Sequence, residues 1–277
     1  PRMSAAVDLW CQGWSEPNAG SDMAAIASKA ILSADGTHYV VTGQKTWSTR
    51  ASFADWLFGL FRSDPASSRH HGLSYLAVPL DAEGVTIRPI QALNGKQAFA
   101  EIFFDDVKVP VENRIGDEGQ GWHVAMATAG FERGLLLRSP ARFQYTARKL
   151  VELYKANREL ADRDPSIRDA VIEAWTGTEA YALSAYHTVG RLAKGARIGA
   201  EASTNKIYWS ELDLKMHETA MRILGPFAEL TGDAPAAVEA ARWLDGFLFA
   251  QAGPIYAGTN EIQRNIIAER LLGLPKA

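Results

Sequence analysis

The chain has 277 residues, 47% hydrophobic and 22% charged, with a formal net charge of -3: length for one large globular domain or two smaller ones, and no cationic excess of the kind a nucleic-acid partner needs. One cysteine, Cys11, excludes an intrachain disulfide and fits a reducing compartment, and no apolar run reaches the ~18 to 20 residues of a membrane-spanning helix. The opening PRMSAAVDLW has neither a signal-peptide pattern nor an initiator Met and reads as the middle of something longer.

Residues 1 to about 115 read as β structure. Ile26 to Leu32 alternates loosely, Asp35-Gly36 is a hairpin signal, and His38 to Thr42 runs back until Gly43 breaks it. Trp56 to Phe61, Leu73 to Pro79, Val85 to Ile90 and Phe99 to Phe104 are further short strands, separated by turns at Ser63-Asp64-Pro65, Asp81 to Gly84 and Asn94-Gly95. Short strands and turns at this spacing predict a small barrel or sandwich. From Gly116 the period changes. After a linker from Gly116 to Gly121, helical stretches are predicted over 119–158, 165–195, 197–224 and 235–251, with a short one over 260–272. Pro140 should kink or shorten the first, and Pro165 fits a first helical turn capped by Asp164. Four helices with short loops make a bundle. The fold class is therefore α+β: a β-barrel or sandwich domain over 1–115, then a C-terminal α-helical bundle over 116–277.

In GQGWHVAMATAGFERGLLL (Gly119 to Leu137), Trp122, Ala125, Met126, Ala129 and Leu136 share one apolar stripe, with Arg133 inside it and Glu132 at its edge. Such a pair is either solvated, with Arg133 snorkelling, or used. Three further motifs carry candidate chemistry. WCQGWSEPNAGSD (Trp10 to Asp22) is a loop through Pro17, Asn18 and Gly20, with hydroxyls at Ser15 and Ser21, or else a strand end with a polar turn. GQKTWST (Gly43 to Thr49) offers an indole to pack on a ring beside two hydroxyl residues, or else a β strand with a core Trp. In IYAGTNEIQRNIIAER (Ile255 to Arg270), Pro254 blocks a helix, Gly258 frees the backbone and Thr259 can cap a helix starting near Asn260, which is a place for an anion or a polar ring edge, or else an ordinary capped C-terminal helix. Six scattered histidines, only His70 and His71 adjacent, give no metal site.

These motifs in this order, with DDVKVP (Asp105 to Pro110), resemble the acyl-CoA dehydrogenase family over nearly the whole chain. That family has an N-terminal helical domain, a middle β domain and a C-terminal four-helix bundle. The chain looks like the last two, with the N-terminal helical domain absent. The resemblance implies FAD-dependent oxidation of an acyl-CoA thioester to the trans-2-enoyl-CoA, a carboxylate removing the α proton while the β hydrogen leaves as hydride to flavin N5. A base in a dry pocket has a raised pKa and accepts the proton more readily, and a flavin supplies the hydride acceptor that no side chain can. By residue, it implies flavin contacts from Gln12, Trp14, Ser15, Trp47, Thr49, Thr259 and Glu261. Ser21 and Arg133 would face the CoA thioester arm, with Gly258 beneath the thioester. An electron-transfer flavoprotein is the implied acceptor, and a bacterial cytoplasm, or a mitochondrial matrix, the implied setting.

Three departures from the family pattern matter. The usual base Glu after the Tyr of the last motif is Ala257 here. A subset, with the isovaleryl and long-chain enzymes as examples, carries the base on the first bundle helix beside an Arg, and Glu132-Arg133 match that place. FERG followed by YAGTNEIQRN resembles bacterial members that degrade sterol side chains or other bulky acids. Asn18 replaces a common glycine. The diphosphate-gripping motif after the first bundle helix is missing from YKANRELADRDPSIRD (Tyr154 to Asp169), and the glycine-rich segment is reduced to Arg222-Ile-Leu-Gly-Pro-Phe227. These losses are either drift or the mark of one half of a heteromer. The readings kept open are a dehydrogenase with Glu132 as base, an acyl-CoA oxidase-type flavoenzyme, and a non-catalytic or half-site subunit in a homo- or hetero-oligomer.

Overall fold

The computed structural model describes residues 2–135, 139–196 and 199–276, the side chains of residues 130–135 and 240 excepted. The chain forms two compact units, Pro1–Ala129 and Gly130–Ala277, each built around its own core.

The first unit is a single sheet of β1 (Trp10–Gly13), β2 (Lys29–Leu32), β3 (His38–Thr49), β4 (Trp56–Arg62), β5 (Leu73–Pro79), β6 (Val85–Ile90) and β7 (Phe99–Pro110), ordered β1-β4-β2-β3-β7-β6 with β5 also on β4. The β2–β3 hairpin turns at Asp35-Gly36 as its sequence requires: the Asp35 carboxylate accepts from the Ser33 hydroxyl at 2.6 Å and the Thr37 N–H at 3.1 Å. Alternating residues of the strands (Tyr39, Val41, Leu57, Phe61, Val78, Ile102, Phe104, Val109) close one core, and Ile26, Leu60, Leu73, Tyr75 and Ala125 a second.

Three expectations change here. Trp10–Gly13 is a strand, parallel to β4 with Gln12 opposite Phe58, and the turn over Pro17-Asn18 follows it, so the motif is a strand end with a polar turn and not a loop throughout. The strand is four residues long and is completed by its pairing with β4. Gly43 is a bulge and not a stop: the register with β7 shifts between Val41 and Gly43, and β3 runs on to Thr49. The glycine-rich segment before residue 121 is an anchor as well as a connection. The Gly119 N–H donates to Ser74 Oγ at 3.0 Å, and a Cβ on Gly121 would lie 2.6 Å from the Ser74 carbonyl carbon, so only glycine lets the first helix start this close to β5.

The helices are α1 (Gly121–Leu135), α2 (Pro140–Ala156), α3 (Arg158–Ala161), α4 (Pro165–Ala193), α5 (Ala202–Leu224), α6 (Arg242–Ala250) and α7 (Asn260–Ile266). The stretch expected as one helix over 119–158 is thus two, with Pro140 in the first turn of α2, the position where its missing N–H costs nothing. The unit division falls inside α1, between Ala129 and Gly130. Asp164 caps α4 by accepting the Ser166 N–H at 3.0 Å. In the second unit, Phe143 and Leu150 of α2, Val171 and Tyr181 of α4, Trp209, Met216 and Ile223 of α5 and Trp243 of α6 share one core. The five residues 209, 212, 216, 220 and 223 of α5 are all buried, a helical stripe at spacings of three and four. The segments expected over 235–251 and 260–272 are shorter as α-helix: a 3₁₀ turn at Val238–Ala241 precedes α6, and a π turn at Ile267–Leu271 follows α7.

Candidate functional site

In the first unit, two of the motifs are locked together by an ion pair that neither motif announces. Lys45 Nζ lies 2.7 Å from Glu16 Oε1 and donates to the Leu60 carbonyl at 2.7 Å, with Lys45 fully buried and Glu16 8% exposed. Glu16 also accepts the N–H groups of Ala27 at 2.6 Å and Ser28 at 3.0 Å. Burial is the largest influence on Glu16 and would push its pKa up, but the Lys45 charge, the Ala27 N–H and the remaining hydrogen bonds outweigh it and hold the carboxyl below its ordinary 4.5. Burial pushes the Lys45 ammonium down to about 8 against the pull of Glu16.

This pair sets the backbone around it. The Thr46 N–H donates to the Ser15 carbonyl at 2.9 Å, and Glu16 and Ala19 exchange two N–H···O bonds at 3.0 Å, closing the turn over Pro17-Asn18. Trp14 and Ser15 are therefore brought beside Thr46 and Trp47. Trp14 is half-buried, its Nε1–H donating to the Tyr75 hydroxyl at 2.9 Å. Trp47 departs from the core-Trp reading of its strand. It sits where the β3–β7 register shifts between Lys45 and Ser48, at φ 57°, with its side chain 60% exposed and its ring 6.0 Å from that of Phe99. A large aromatic in the left-handed region and in water is doubly unfavourable, and such strain clusters where a site needs it. Thr49 is exposed in the same strand, opposite Phe99. Gln12 is half-buried on β1. Ser21 is exposed beyond the turn, next to Asp22, whose carboxylate pairs with Arg69 at 2.7 Å.

In the second unit the last motif forms a tight loop from Pro254 to Asn260. Asn260 N–H donates to the Pro254 carbonyl at 2.8 Å, and Thr259 caps α7 by accepting the Ile262 N–H at 3.2 Å. Ala257 and Gly258 at the tip both have positive φ, 55° and 79°. A Cβ on Gly258 would meet Gln263 Nε2 at 2.7 Å, the group that donates to the Ala257 carbonyl at 3.0 Å. Glu261 is exposed. Its own N–H and the Thr259 hydroxyl hold its carboxyl below the ordinary range. Behind the loop lies Lys206, fully buried, its Nζ donating to Asn260 Oδ1 at 2.8 Å and to the Pro254 carbonyl at 3.1 Å.

Of the predicted residues, Gln12, Trp14, Ser15, Trp47 and Thr49 belong to the β unit, while Gly258 and Thr259 lie in one loop of the helical unit and Glu261 in the first turn of α7 that follows it. Glu132 and Arg133 lie on α1, with their side chains outside the described residues. Glu16, Lys45, Lys206 and Asn260 were not anticipated. The one available signal was a Glu in one motif and a Lys at a strand position of the next.

The family description "Acyl-CoA dehydrogenase, middle domain" matches residues 11–107, and "Acyl-CoA dehydrogenase, C-terminal domain" matches residues 119–272. The chain belongs to the acyl-CoA dehydrogenase family. It is 42% identical over 277 residues to acyl-CoA dehydrogenase IpdE1 of Mycobacterium tuberculosis, covering 100% of this chain and 69% of that one. The ChsE4-ChsE5 complex of the same organism is similar in structure, with a TM-score of 0.86 at 30% identity, over 100% of this chain and 72% of that one. A chain of the Tcur3481-Tcur3483 steroid ACAD superposes with a TM-score of 0.91 at 26% identity, over 100% and 71%. The family's middle and C-terminal domains are the two represented here. As a family member the chain is an oxidoreductase acting on acyl-CoA, with FAD as cofactor. Its own geometry fits a flavin: Trp47 is held in solvent at a strained φ with no core to serve, and Thr49 offers a hydroxyl beside it. Among the described residues no helix is long and apolar enough to cross a membrane.

Proposed function

We propose that the protein is an FAD-dependent acyl-CoA dehydrogenase that forms the trans-2-enoyl-CoA with Glu132 as the α-proton base. The observation that carries this reading is Ala257. The loop tip where the family's common pattern places its carboxylate holds a methyl group at φ 55° beside Gly258. A methyl group takes no proton, so an active enzyme draws its base from elsewhere, and Glu132 on α1 has the matching place beside Arg133. Gln12, Trp14, Ser15, Trp47, Thr49, Thr259 and Glu261 would hold the flavin. Ser21 and Arg133 would meet the thioester arm, and Gly258, which has no Cβ, leaves room beneath the thioester. FAD, when bound, accepts the hydride from the β carbon. The chain's own residues polarise the thioester, keep the base dry and take the α proton.

The likeness to a steroid ACAD supports a bulky acyl group, and a bacterial cytoplasm with an electron-transfer flavoprotein as acceptor is the setting this reading implies. A second reading, a half-site subunit of a heteromer, is favoured by one sequence feature: Tyr154 to Asp169 lacks the family's diphosphate-gripping motif, and one structural relative is a two-component complex. Purification with one FAD per chain as a homo-oligomer argues against the half-site. Replacement of Glu132 by Gln tests the base: flavin is retained and turnover with a dye acceptor falls by ~10² to 10⁴, the range of a lost general base. A Glu132→Gln protein with near-normal turnover places the base elsewhere.

A further inference from the structure

The loop that carries Gly258 and Thr259 is strained at its tip, with a non-glycine residue, Ala257, at φ 55°. Such a conformation persists only where the surroundings leave the backbone no alternative. Its own hydrogen bonds supply part of the constraint: Asn260 N–H to the Pro254 carbonyl at 2.8 Å closes the loop, and Gln263 Nε2 donates to the carbonyls of Ala257 at 3.0 Å and Gly258 at 3.4 Å. The rest comes from α5. Lys206 is fully buried, and among the described residues no carboxylate is in direct contact with it, an expensive state for an ammonium unless its hydrogens are well placed. One goes to the loop's first carbonyl, Pro254 O, at 3.1 Å, and one to the side chain of its last residue, Asn260 Oδ1, at 2.8 Å.

Asn260, 3% exposed, is then fixed from three sides: Oδ1 also accepts from Ser210 Oγ at 3.2 Å, and Nδ2 donates to Glu211 Oε1 at 3.3 Å, which Arg264 Nη2 meets at 2.7 Å. Glu211, Glu261 and Arg264 are the charged groups whose fields reach the ammonium, from α5 and α7. Burial first, then Arg264, pushes Lys206 down to about 8, while Glu261 and Glu211 pull it back. A neutral amine keeps two N–H groups for its two acceptors, so the tie does not depend on the charge.

We propose that Lys206 is the positioning residue of this loop: from inside the bundle its amine ties Pro254 to Asn260 and so fixes where Gly258 and Thr259 stand for the flavin and the thioester. The tie itself is independent of the proposed activity, while its consequence for flavin rests on that reading. Lys206 touches neither substrate nor cofactor in this role.

The test is hydrogen exchange of the full-length protein, wild type against Lys206→Met, with FAD dissociation measured on the same samples. Methionine fills the space of the lysine stem without a donor. Peptides over residues 253–262 are expected to exchange about ten-fold faster in the variant, the order set by losing the amine's two hydrogen bonds, to Pro254 O and Asn260 Oδ1. Peptides from α2 and α4 should keep their protection, and FAD should dissociate about ten-fold faster. Asn260→Ala, which leaves Lys206 only its Pro254 bond, is the second variant should the first not fold. It should show the same local loss, and adding Lys206→Met to it should then change loop exchange by less than Lys206→Met does alone. Loop protection unchanged in Asn260→Ala, or a loss spread evenly over α2, α4 and the loop in Lys206→Met, overturns the proposal. If the wild type binds no FAD, the flavin reading fails while the exchange result still decides the tie.

Discussion

Removal of Lys45 leaves a carboxylate in the β core with no counter-charge. In Lys45→Met the lost contacts include the 2.7 Å pair with Glu16 Oε1, the 2.7 Å bond to the Leu60 carbonyl and a 3.4 Å bond to the Trp14 carbonyl. Glu16 keeps only the N–H groups of Ala27 and Ser28. Because Lys45 is fully buried and Glu16 is 8% exposed, water cannot replace the ammonium, and the cost belongs to the class of broken buried pairs, ~3–5 kcal/mol. The double variant Glu16→Gln, Lys45→Met removes both charges and should cost less than the single, so the cycle shows a coupling of about 2 kcal/mol or more. Equilibrium urea unfolding followed by tryptophan fluorescence reads both. A single-variant cost below about 1 kcal/mol, the value of an exposed pair, or strict additivity in the cycle, refutes the argument. The pH dependence gives a second reading of the same pair. The folded pKa of Glu16 lies below its ordinary 4.5, so its contribution is fully present above that value and is lost as pH falls through the folded pKa. In Glu16→Gln that acid-limb loss should be smaller.

Other positions separate holding the fold from serving the site. Trp47→Gly relieves a left-handed conformation worth ~1–2 kcal/mol for a non-glycine residue and gives up the contact with Phe99, so unfolding stability should stay within about 1 kcal/mol of wild type, while FAD affinity, read by flavin fluorescence, falls. Gly258→Ala puts a Cβ 2.7 Å from Gln263 Nε2 at φ 79°. It should cost about 1–3 kcal/mol of local strain, visible as faster exchange of the loop amides and weaker substrate binding by titration. Thr259→Ala removes the cap on the Ile262 N–H and should lower stability by about 1 kcal/mol, measured by thermal unfolding.

The sequence disclosed the architecture where a local rule decides it. Asp35-Gly36 had to turn, and Pro165 after Asp164 had to open a helix. It hid what depends on tertiary partners. β1 is four residues long and exists because β4 pairs with it. Trp47 reads as a core residue by hydrophobicity, and only the bulge beside it turns the ring to water. Glu16 and Lys45 look like solvated charges because each is satisfied by a residue 29 positions away. Lys206 is likewise an ordinary helical lysine until the loop 48 residues on closes over it. Gln12, Trp14, Ser15, Trp47 and Thr49 were named from the order of the motifs that hold them. The locks behind them were not, since a lock has no pattern of its own.

The central claim is that Glu132 and no residue of the 254–260 loop removes the α proton. Anaerobic rapid mixing of the flavin-loaded protein with its acyl-CoA tests it most directly, with flavin absorbance as the readout. Bleaching in one turnover by the wild type and by Ala257→Gly, and none on the same timescale by a fully flavin-loaded Glu132→Gln, is the predicted result. Bleaching of Glu132→Gln at the wild-type rate contradicts it.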